Sequence, residues 1–251
     1  MSTQALIDYT LHLADNTLIL AQRNSEWTGH GPILEQDIAL SNIALDLLGQ
    51  ARMLYQYAAR LQGNGATEDS LAYLRDAWDF KNCLLAELDK GDWAKTTLRQ
   101  FFFSTYQWYL YLRLQHSKDT ELAAIAEKAL KEVAYHLRWS GEWIVRLGDG
   151  TEESHRRIQQ ALSDLWPFTG ELTTPAAYEQ TLAAAGIAID PASFKNEWHN
   201  KVNEVLQEAT LTLPDNGWMQ SGGKQGRHTE HLGYILAEMQ HLQRTYPGCE
   251  W

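Results

Sequence analysis

Between residues 33 and 61 the chain carries a continuous apolar seam of leucines and alanines. The seam steps alternately by four and three residues, and its members are Leu40, Ala44, Leu47, Ala51, Leu54, Ala58 and Leu61. This spacing keeps every member on one face of an α-helix, along the narrow stripe that bundled helices bury against each other. The sequence therefore predicts a long second helix that packs lengthwise against other helices.

The rest of the chain also favours helix over strand, because it contains 35 leucines but only four valines. We predict an all-α fold in a single domain, 1–251, with long helices and additional short ones. With their caps included, the predicted helices cover 3–22, 33–61, 67–88, 92–115, 119–148, 152–165, 175–185, 192–209 and 228–244. Thr67, Asp92 and Asp119 are expected to cap their helices, and Pro175 and Pro191 to open two of the shorter ones.

Composition and charge exclude several classes of function. The chain has 21 basic and 32 acidic residues and a net charge of −11, which disfavours binding to nucleic acid or to anionic lipid. The longest uncharged run, 100–112, falls short of the ~20 residues of a membrane-spanning helix. Met1-Ser2-Thr3-Gln4 is not expected to begin a secretion signal, because no positive region followed by an apolar core is visible. Cys83 and Cys249 show no paired spacing, and Cys83 is expected to be a buried thiol. We therefore expect a cytoplasmic protein.

A bundle of long helices raises the question of a carboxylate-bridged di-iron site. Such a site needs a Glu on each of two helices and a Glu-x-x-His pair on each of two others. Only Glu152/His155 and Glu238/His241 have this spacing, and both pairs lie in polar, surface-like surroundings. Because four carboxylates and two histidines cannot be assembled, we predict no metal site in this chain.

Glu132 and His136 come closest to a ligand pair, but they lie four residues apart. Val133 stands three residues before His136, and a valine cannot bind iron. We expect Glu132 and His136 to hydrogen-bond to each other along one helix face.

Two sets of polar residues keep a metal site open as an alternative. One face of the second predicted helix carries Glu35, Asn42, Asp46 and Gln50. These residues are either ligands or, as we favour, a polar bundle network or a face for another subunit. His228 and His231, at the start of the last helix, are capping or surface groups unless they bind a metal. A self-sufficient metal-binding oxidoreductase would use Asp46, Glu132, His136, His228 and His231.

The segment 211–226 is predicted to be a loop, and 221–227 combines glycines with two positive charges. It could hold a phosphate before the last helix, but we expect a mobile surface loop. The aromatic run from Phe101 to Tyr111 covers all sides of its helix. We expect some of these rings in the core and the others beneath a partner subunit.

Four strings carry a resemblance to a known family: LDLLGQAR at 45–52, KEVAYHLR at 131–138, HTEHLG at 228–233 and LAEMQ at 236–240. The early Ser-Glu-Trp-Thr-Gly-His and the terminal Pro-Gly-Cys-Glu-Trp extend it over the whole chain. On these strings the chain resembles the C-subunit (PaaC) family of bacterial 1,2-phenylacetyl-CoA epoxidase, the ring-1,2-epoxidase, within the ferritin-like superfamily.

The resemblance implies a ferritin-like subunit of a multicomponent monooxygenase in aerobic phenylacetate degradation. In that family the di-iron centre belongs to a related catalytic A subunit, and a reductase component supplies electrons from NADPH. Together they epoxidise the ring of phenylacetyl-CoA with O₂. The C subunit is regarded as structural, without a cofactor of its own. We therefore expect this chain to be non-catalytic and to partner the A subunit and a small bridging B subunit.

The resemblance also implies contact with the CoA substrate in two short segments, although both could equally be ordinary helix surface. These segments comprise Asp79, Phe80, Lys81 and Asn82, and Gln180, Thr181 and Leu182. Phe80, Asn82 and Leu182 match the family pattern, whereas the other four residues depart from it. Lys81 could still pair with a CoA phosphate.

Overall fold

The computed structural model describes residues 3–214 and 217–249, so positions 1, 2, 250 and 251 of the two termini lie outside it, as do 215 and 216 of the predicted loop. The described chain is all-α and contains no strand, as predicted. Its helices are α1 (Thr3–Ser25), α2 (Leu34–Gln62), α3 (Glu68–Tyr73), α4 (Leu84–Glu87), α5 (Trp93–Leu114), α6 (Thr120–Gly148), α7 (Glu152–Leu165), α8 (Ala177–Ala184), α9 (Lys195–Glu208), α10 (Glu230–Met239) and α11 (His241–Thr245).

Four long helices form the bundle and pack as two close pairs, α1 with α2 and α5 with α6. The predicted seam of α2 is confirmed, since Leu40, Leu47 and Leu54 are fully buried. Helices α1 and α5 are buried on nearly all sides, as expected for the central helices of a bundle. Helix α8 packs on α1, while α7 and α9 pack on α5. None of the described helices is both long and apolar enough to cross a bilayer.

The predicted helix caps are confirmed. Side-chain oxygens of Thr67, Asp92 and Asp119 accept hydrogen bonds from backbone N–H groups in the first turns of α3, α5 and α6. Each cap satisfies a donor that has no partner within the helix. The two prolines do not open α-helices as predicted: Pro191 opens a 3₁₀ turn that leads directly into α9, and Pro175 lies two residues before α8 begins.

The single helix predicted over 67–88 is wrong, because α3 and α4 are separated by a segment whose only helical part is a short 3₁₀ turn, Ala77–Asp79. The cause lies in α1, where buried Asp15 and Asn16 accept hydrogen bonds from this segment. Asp15 binds the backbone N–H of Lys81 at 2.8 Å, and Asn16 binds that of Cys83 at 2.7 Å. These side chains offer the backbone partners other than helical carbonyls. Cys83 is buried, as predicted.

The helix predicted over 228–244 is also divided, into α10 and α11. Gln240 lies at the junction and is buried. Its side-chain amide donates to the carbonyl oxygens of Ala72 and Arg75 at 3.1 and 3.0 Å. The junction is therefore fastened to α3 and the residues that follow it.

The aromatic run on α5 is covered largely by this chain itself. Residues 101–103, Tyr106 and Tyr111 are at most 2% exposed. Trp108 and Tyr109 are half-buried. Helices α6, α7 and α9 surround α5. The expectation that a partner subunit covers part of this run therefore remains only for Trp108 and Tyr109.

Candidate functional site

A polar cluster joins α2, α5 and α6, and we call it the α2–α6 polar cluster. Nε2 of His136 lies 3.0 Å from Oδ2 of Asp46. The amide of Gln50 donates to Oε2 of Glu132 at 2.9 Å, and Gln107 donates to Oε1 of Gln50 at 3.4 Å. Two residues on α2 and two on α6, each pair four apart in sequence, thus meet between the facing helices.

This geometry decides two of the sequence-based predictions. Glu132 and His136 do not bond to each other as predicted, because both side chains point toward α2 and find partners there. Asp46 and Gln50 do form a polar bundle network, as we favoured. Glu35 and Asn42 are exposed and lie outside it.

The donor set of the α2–α6 polar cluster does not fit a di-iron centre. Such a centre takes four carboxylates and two histidines, whereas two carboxylates, one histidine and two neutral amides meet here. Val133, where a ligand Glu would stand, is fully buried in the apolar core. Nδ1 of His136 is buried without a hydrogen-bond partner. Nevertheless, nowhere in 3–214 and 217–249 do three His, Cys, Asp or Glu side chains converge as metal ligands would.

His228 and His231 lie at the start of α10 and face other carboxylates. Nδ1 of His228 is 2.7 Å from Oε2 of Glu87, and its Nε2 is 2.9 Å from the carbonyl oxygen of Phe80. Burial acts to lower the pKa of His228, but these two bonds raise it above its ordinary value. His231 lies 4.0 Å from Asp89.

The five residues of the alternative metal site are therefore divided between two places. Asp46, Glu132 and His136 belong to the α2–α6 polar cluster, while His228 and His231 face the segment around α4. A single centre built from all five is not formed.

The two segments expected to contact substrate lie side by side. Nζ of Lys81 is 5.9 Å from the ring centre of Tyr178, which precedes the second segment. Buried His12 of α1 lies between them: its Nδ1 is 2.7 Å from the carbonyl oxygen of Lys81, and its Nε2 is 3.8 Å from Oε1 of Glu179. The family expectation thus describes one continuous region of the molecule.

Within this region the side chains differ in exposure. Phe80, Asn82 and Leu182, the positions that match the family pattern, are fully buried. The surface is formed by exposed Asp79, Gln180 and Thr181 and by half-buried Lys81. Nζ of Lys81 lies 3.6 Å from Asp8. Substrate contact stays a prediction, and only this second group has side chains at the surface for it.

A buried charged network centred on Glu171 was not foreseen. Oε1 of Glu171 accepts hydrogen bonds from the backbone N–H groups of Gly222 and Lys224 at 2.9 and 3.3 Å. Its Oε2 accepts from the N–H of Leu84 at 2.8 Å. One carboxylate therefore ties the loop before α10 to the start of α4.

Lys224 completes this network and overturns the prediction of a mobile surface loop. Its Nζ lies 2.9 Å from Oε2 of Glu179 and 2.9 Å from the carbonyl oxygen of Thr174. Burial acts to lower the pKa of Lys224, but Glu179 and neighbouring groups raise it above its ordinary value, so the ammonium stays charged.

The loop is also not free to hold a phosphate, because Glu171 already occupies its N–H groups. The signal in the sequence was the concentration of three glycines in 222–226 around one lysine. Glycine permits another group to approach the backbone closely, and here that group is the carboxylate of Glu171 and not a phosphate.

The bundle of long helices, with a polar cluster between facing helices, is that of the ferritin-like class. The sequence model of the family described as "Phenylacetic acid catabolic protein" matches residues 1–251, and the chain belongs to this family. It is 50% identical over 246 residues to the C subunit of 1,2-phenylacetyl-CoA epoxidase from Escherichia coli (strain K12), a match that covers 98% of this chain and 99% of that protein. The resemblance seen in the sequence motifs is confirmed, and the chain has a role in phenylacetate catabolism.

Proposed function

We propose that this chain is a non-catalytic subunit of a phenylacetyl-CoA epoxidase and that it supports a related catalytic A subunit. Its similarity to the Escherichia coli protein favours membership of such a complex. The observation that carries the non-catalytic part is the donor set of the α2–α6 polar cluster. Neutral Gln50 and Gln107 and apolar Val133 stand among the residues between its facing helices.

The physical argument rests on charge. Carboxylates neutralise and bridge iron ions, whereas an amide carries no charge and a valine offers no donor atom. Asp46 and Glu132 are already paired, with His136 and Gln50. In this proposal the cluster serves to hold α2 against α6, and the di-iron centre belongs to the A subunit, with electrons from NADPH supplied through a reductase.

A surface on α2 supports association with a partner. Leu34, Ile38 and Leu45 are 72%, 51% and 64% exposed, and they share the outward face of the helix with Asn42 and Gly49. Exposed aliphatic side chains on one helix face mark an interaction surface. We propose that this α2 face meets the A subunit. The bridging B subunit is a further expected partner.

Co-expression tests the proposal. The A subunit produced together with this chain is expected to be more soluble and more active than the A subunit alone. Metal analysis should find iron in proportion to the A subunit and none bound stoichiometrically by the isolated chain. An A subunit that is equally soluble and active alone, or a stoichiometric iron centre in this chain, contradicts the proposal.

Two matched variants test the α2 face. Leu45→Lys places a charge within it and is expected to weaken co-purification with the A subunit. Leu74→Lys changes a leucine that is 55% exposed outside α2 and should leave co-purification unchanged. Equal effects of the two substitutions count against the α2 face.

We further propose that Lys81 contributes to CoA recognition in the complex. It is the one cation in the two candidate segments and is held by Asp8 at the surface. Lys81→Met is expected to raise the KM for phenylacetyl-CoA with little change in kcat, while exposed Lys128→Met on α6 serves as the control. An unchanged KM would indicate a purely assembling role.

A further inference from the structure

On the flank of α6 that faces α9, the surface opens into a cavity of about 540 Å³. This volume lies within the range of roughly 300–1,000 Å³ that is usual for small-molecule sites. Its apolar lining comprises Phe101, Trp108, Leu137, Val145 and Val205. Ala134 and Gly141 of α6 also line the cavity, and their small size leaves room between the helices.

The rim of the cavity is richer in positive charge than the chain as a whole. The charged residues that line it are Arg138, Arg146, Lys201, Glu142 and Glu208. Three cations and two carboxylates thus line the cavity in a chain whose net charge is −11. Lys201 pairs with Glu204 and Arg146 with Glu142, which leaves Arg138 to supply the unpaired positive charge. An aromatic and aliphatic floor beneath a cationic rim is complementary to an apolar molecule that ends in an anion.

Arg138 is the cation best placed to receive that anion. Within 3–214 and 217–249 no carboxylate forms an ion pair with it. Arg146 lies 3.8 Å from Glu142, and both side chains are more than half exposed. Such surface pairs contribute little stability, so a ligand carboxylate can replace Glu142 at small cost.

We propose that this cavity binds a small carboxylate with a flat aromatic body, its ring on the apolar floor and its carboxylate at Arg138. The inference goes beyond the proposed function and does not depend on it. The cavity also lies apart from the α2–α6 polar cluster. Helix α6 contacts α2 through residues such as Glu132, His136 and Trp139, whereas it lines the cavity through Ala134, Leu137 and Gly141.

Binding is tested on the full chain with phenylacetate and its neutral analogue phenylacetamide, by saturation-transfer NMR and calorimetry. Phenylacetate is expected to bind saturably, and phenylacetamide about tenfold or more weakly, because it lacks the charge-assisted bond. No saturable binding of phenylacetate overturns the proposal, and equal binding of both probes overturns the role of the cationic rim.

Variants locate the site. Ala134→Phe fills the opening from an exposed position and should abolish binding, whereas exposed Ala184→Phe on α8 should not. Arg138→Gln should weaken the binding of phenylacetate about tenfold and leave the binding of phenylacetamide unchanged. Exposed Arg52→Gln is the control and should bind both probes like the wild type. Unchanged phenylacetate binding in Ala134→Phe and Arg138→Gln overturns the assignment. So does loss of co-purification with the A subunit in Ala134→Phe while probe binding persists, since the cavity would then be part of a protein interface.

Discussion

The ammonium group of Lys224 lies 2.9 Å from Oε2 of Glu179, and each side chain is 1% exposed. This ion pair joins α8 to the loop that precedes α10. A buried pair is not in itself a large source of stability, because both charges lose their hydration. Removing one partner, however, leaves the other charge buried and uncompensated.

We therefore expect Lys224→Met to lower the free energy of unfolding by about 3–5 kcal/mol, as measured by urea denaturation. Lys201→Met is the matched control, because Lys201 pairs with Glu204 at the surface and should unfold like the wild type. The double variant Lys224→Met/Glu179→Leu should recover part of the loss. Equal stability of the Lys224 and Lys201 variants would show that the buried pair is unimportant.

Two glycines should respond oppositely to replacement by alanine. A Cβ on Gly223 would lie 2.1 Å from the carbonyl oxygen of Asn82, whereas a Cβ on Gly233, inside α10, would meet open space. Gly223→Ala is expected to destabilise the protein by about 1–3 kcal/mol. Gly233→Ala should stabilise it by about 0.5–1 kcal/mol, since glycine weakens helix interiors. Thermal unfolding of both variants measures the difference, and a shift of the same sign in both would contradict it.

Acid stability should depend on His12. Burial lowers the pKa of this side chain to about 4, whereas an unfolded histidine titrates near 6.5. Between about pH 4 and pH 6.5, His12 is therefore protonated in the unfolded chain but neutral in the folded protein. The contribution of His12 to the free energy of unfolding is therefore fully present above about pH 6.5, and the free energy of unfolding falls by about 3 kcal/mol as the pH drops toward 4.

Urea midpoints measured across this range test the effect. His12→Gln removes the titrating group and should give a flatter dependence on pH than the wild type. Exposed His241→Gln should leave the wild-type slope unchanged. If His12→Gln keeps the full slope, the acid sensitivity arises elsewhere.

The two thiols should differ sharply in reactivity. Burial, followed by the charge of Glu171, raises the pKa of the Cys83 thiol well above its ordinary value, and Cys249 is exposed. Because the thiolate is the reactive form, Ellman's reagent should modify one thiol in the native protein and two in denaturant. Cys249→Ser should abolish the native reaction, and rapid native modification of Cys83 in that variant would refute its burial.

What could be predicted from the sequence is what depends on neighbouring residues. The seam of α2 and the caps at Thr67, Asp92 and Asp119 are local patterns, and the structure confirms them. For the α2–α6 polar cluster, the sequence predicts a polar network that includes Asp46 and Gln50, but it does not predict which residues of α6 they bond to. The hydrogen bond between Asp46 and His136 depends on how α2 and α6 are placed relative to each other, and the sequence does not specify that placement.

The two wrong predictions, the single helix over 67–88 and the mobile loop before α10, also arise because the deciding partners are distant in the sequence. The break after α3 depends on Asp15 and Asn16, which lie more than sixty residues earlier in the chain. The buried loop depends on Glu171 and Glu179, some fifty residues before Lys224. Local propensity and composition carry no information about such partners, so they predict that a glycine-rich segment with a lysine lies at the surface.

The network around Glu171 also sets an order for biosynthesis. A ribosome makes Glu171 and Glu179 well before Gly222 and Lys224, which supply their partners. While the nascent chain ends before residue 222, these two carboxylates lack those partners, and the contacts that tie them to the loop before α10 cannot form. We expect the last step of folding to follow the emergence of the C-terminal helices, so that premature termination before this loop leaves an incomplete bundle for cellular proteases.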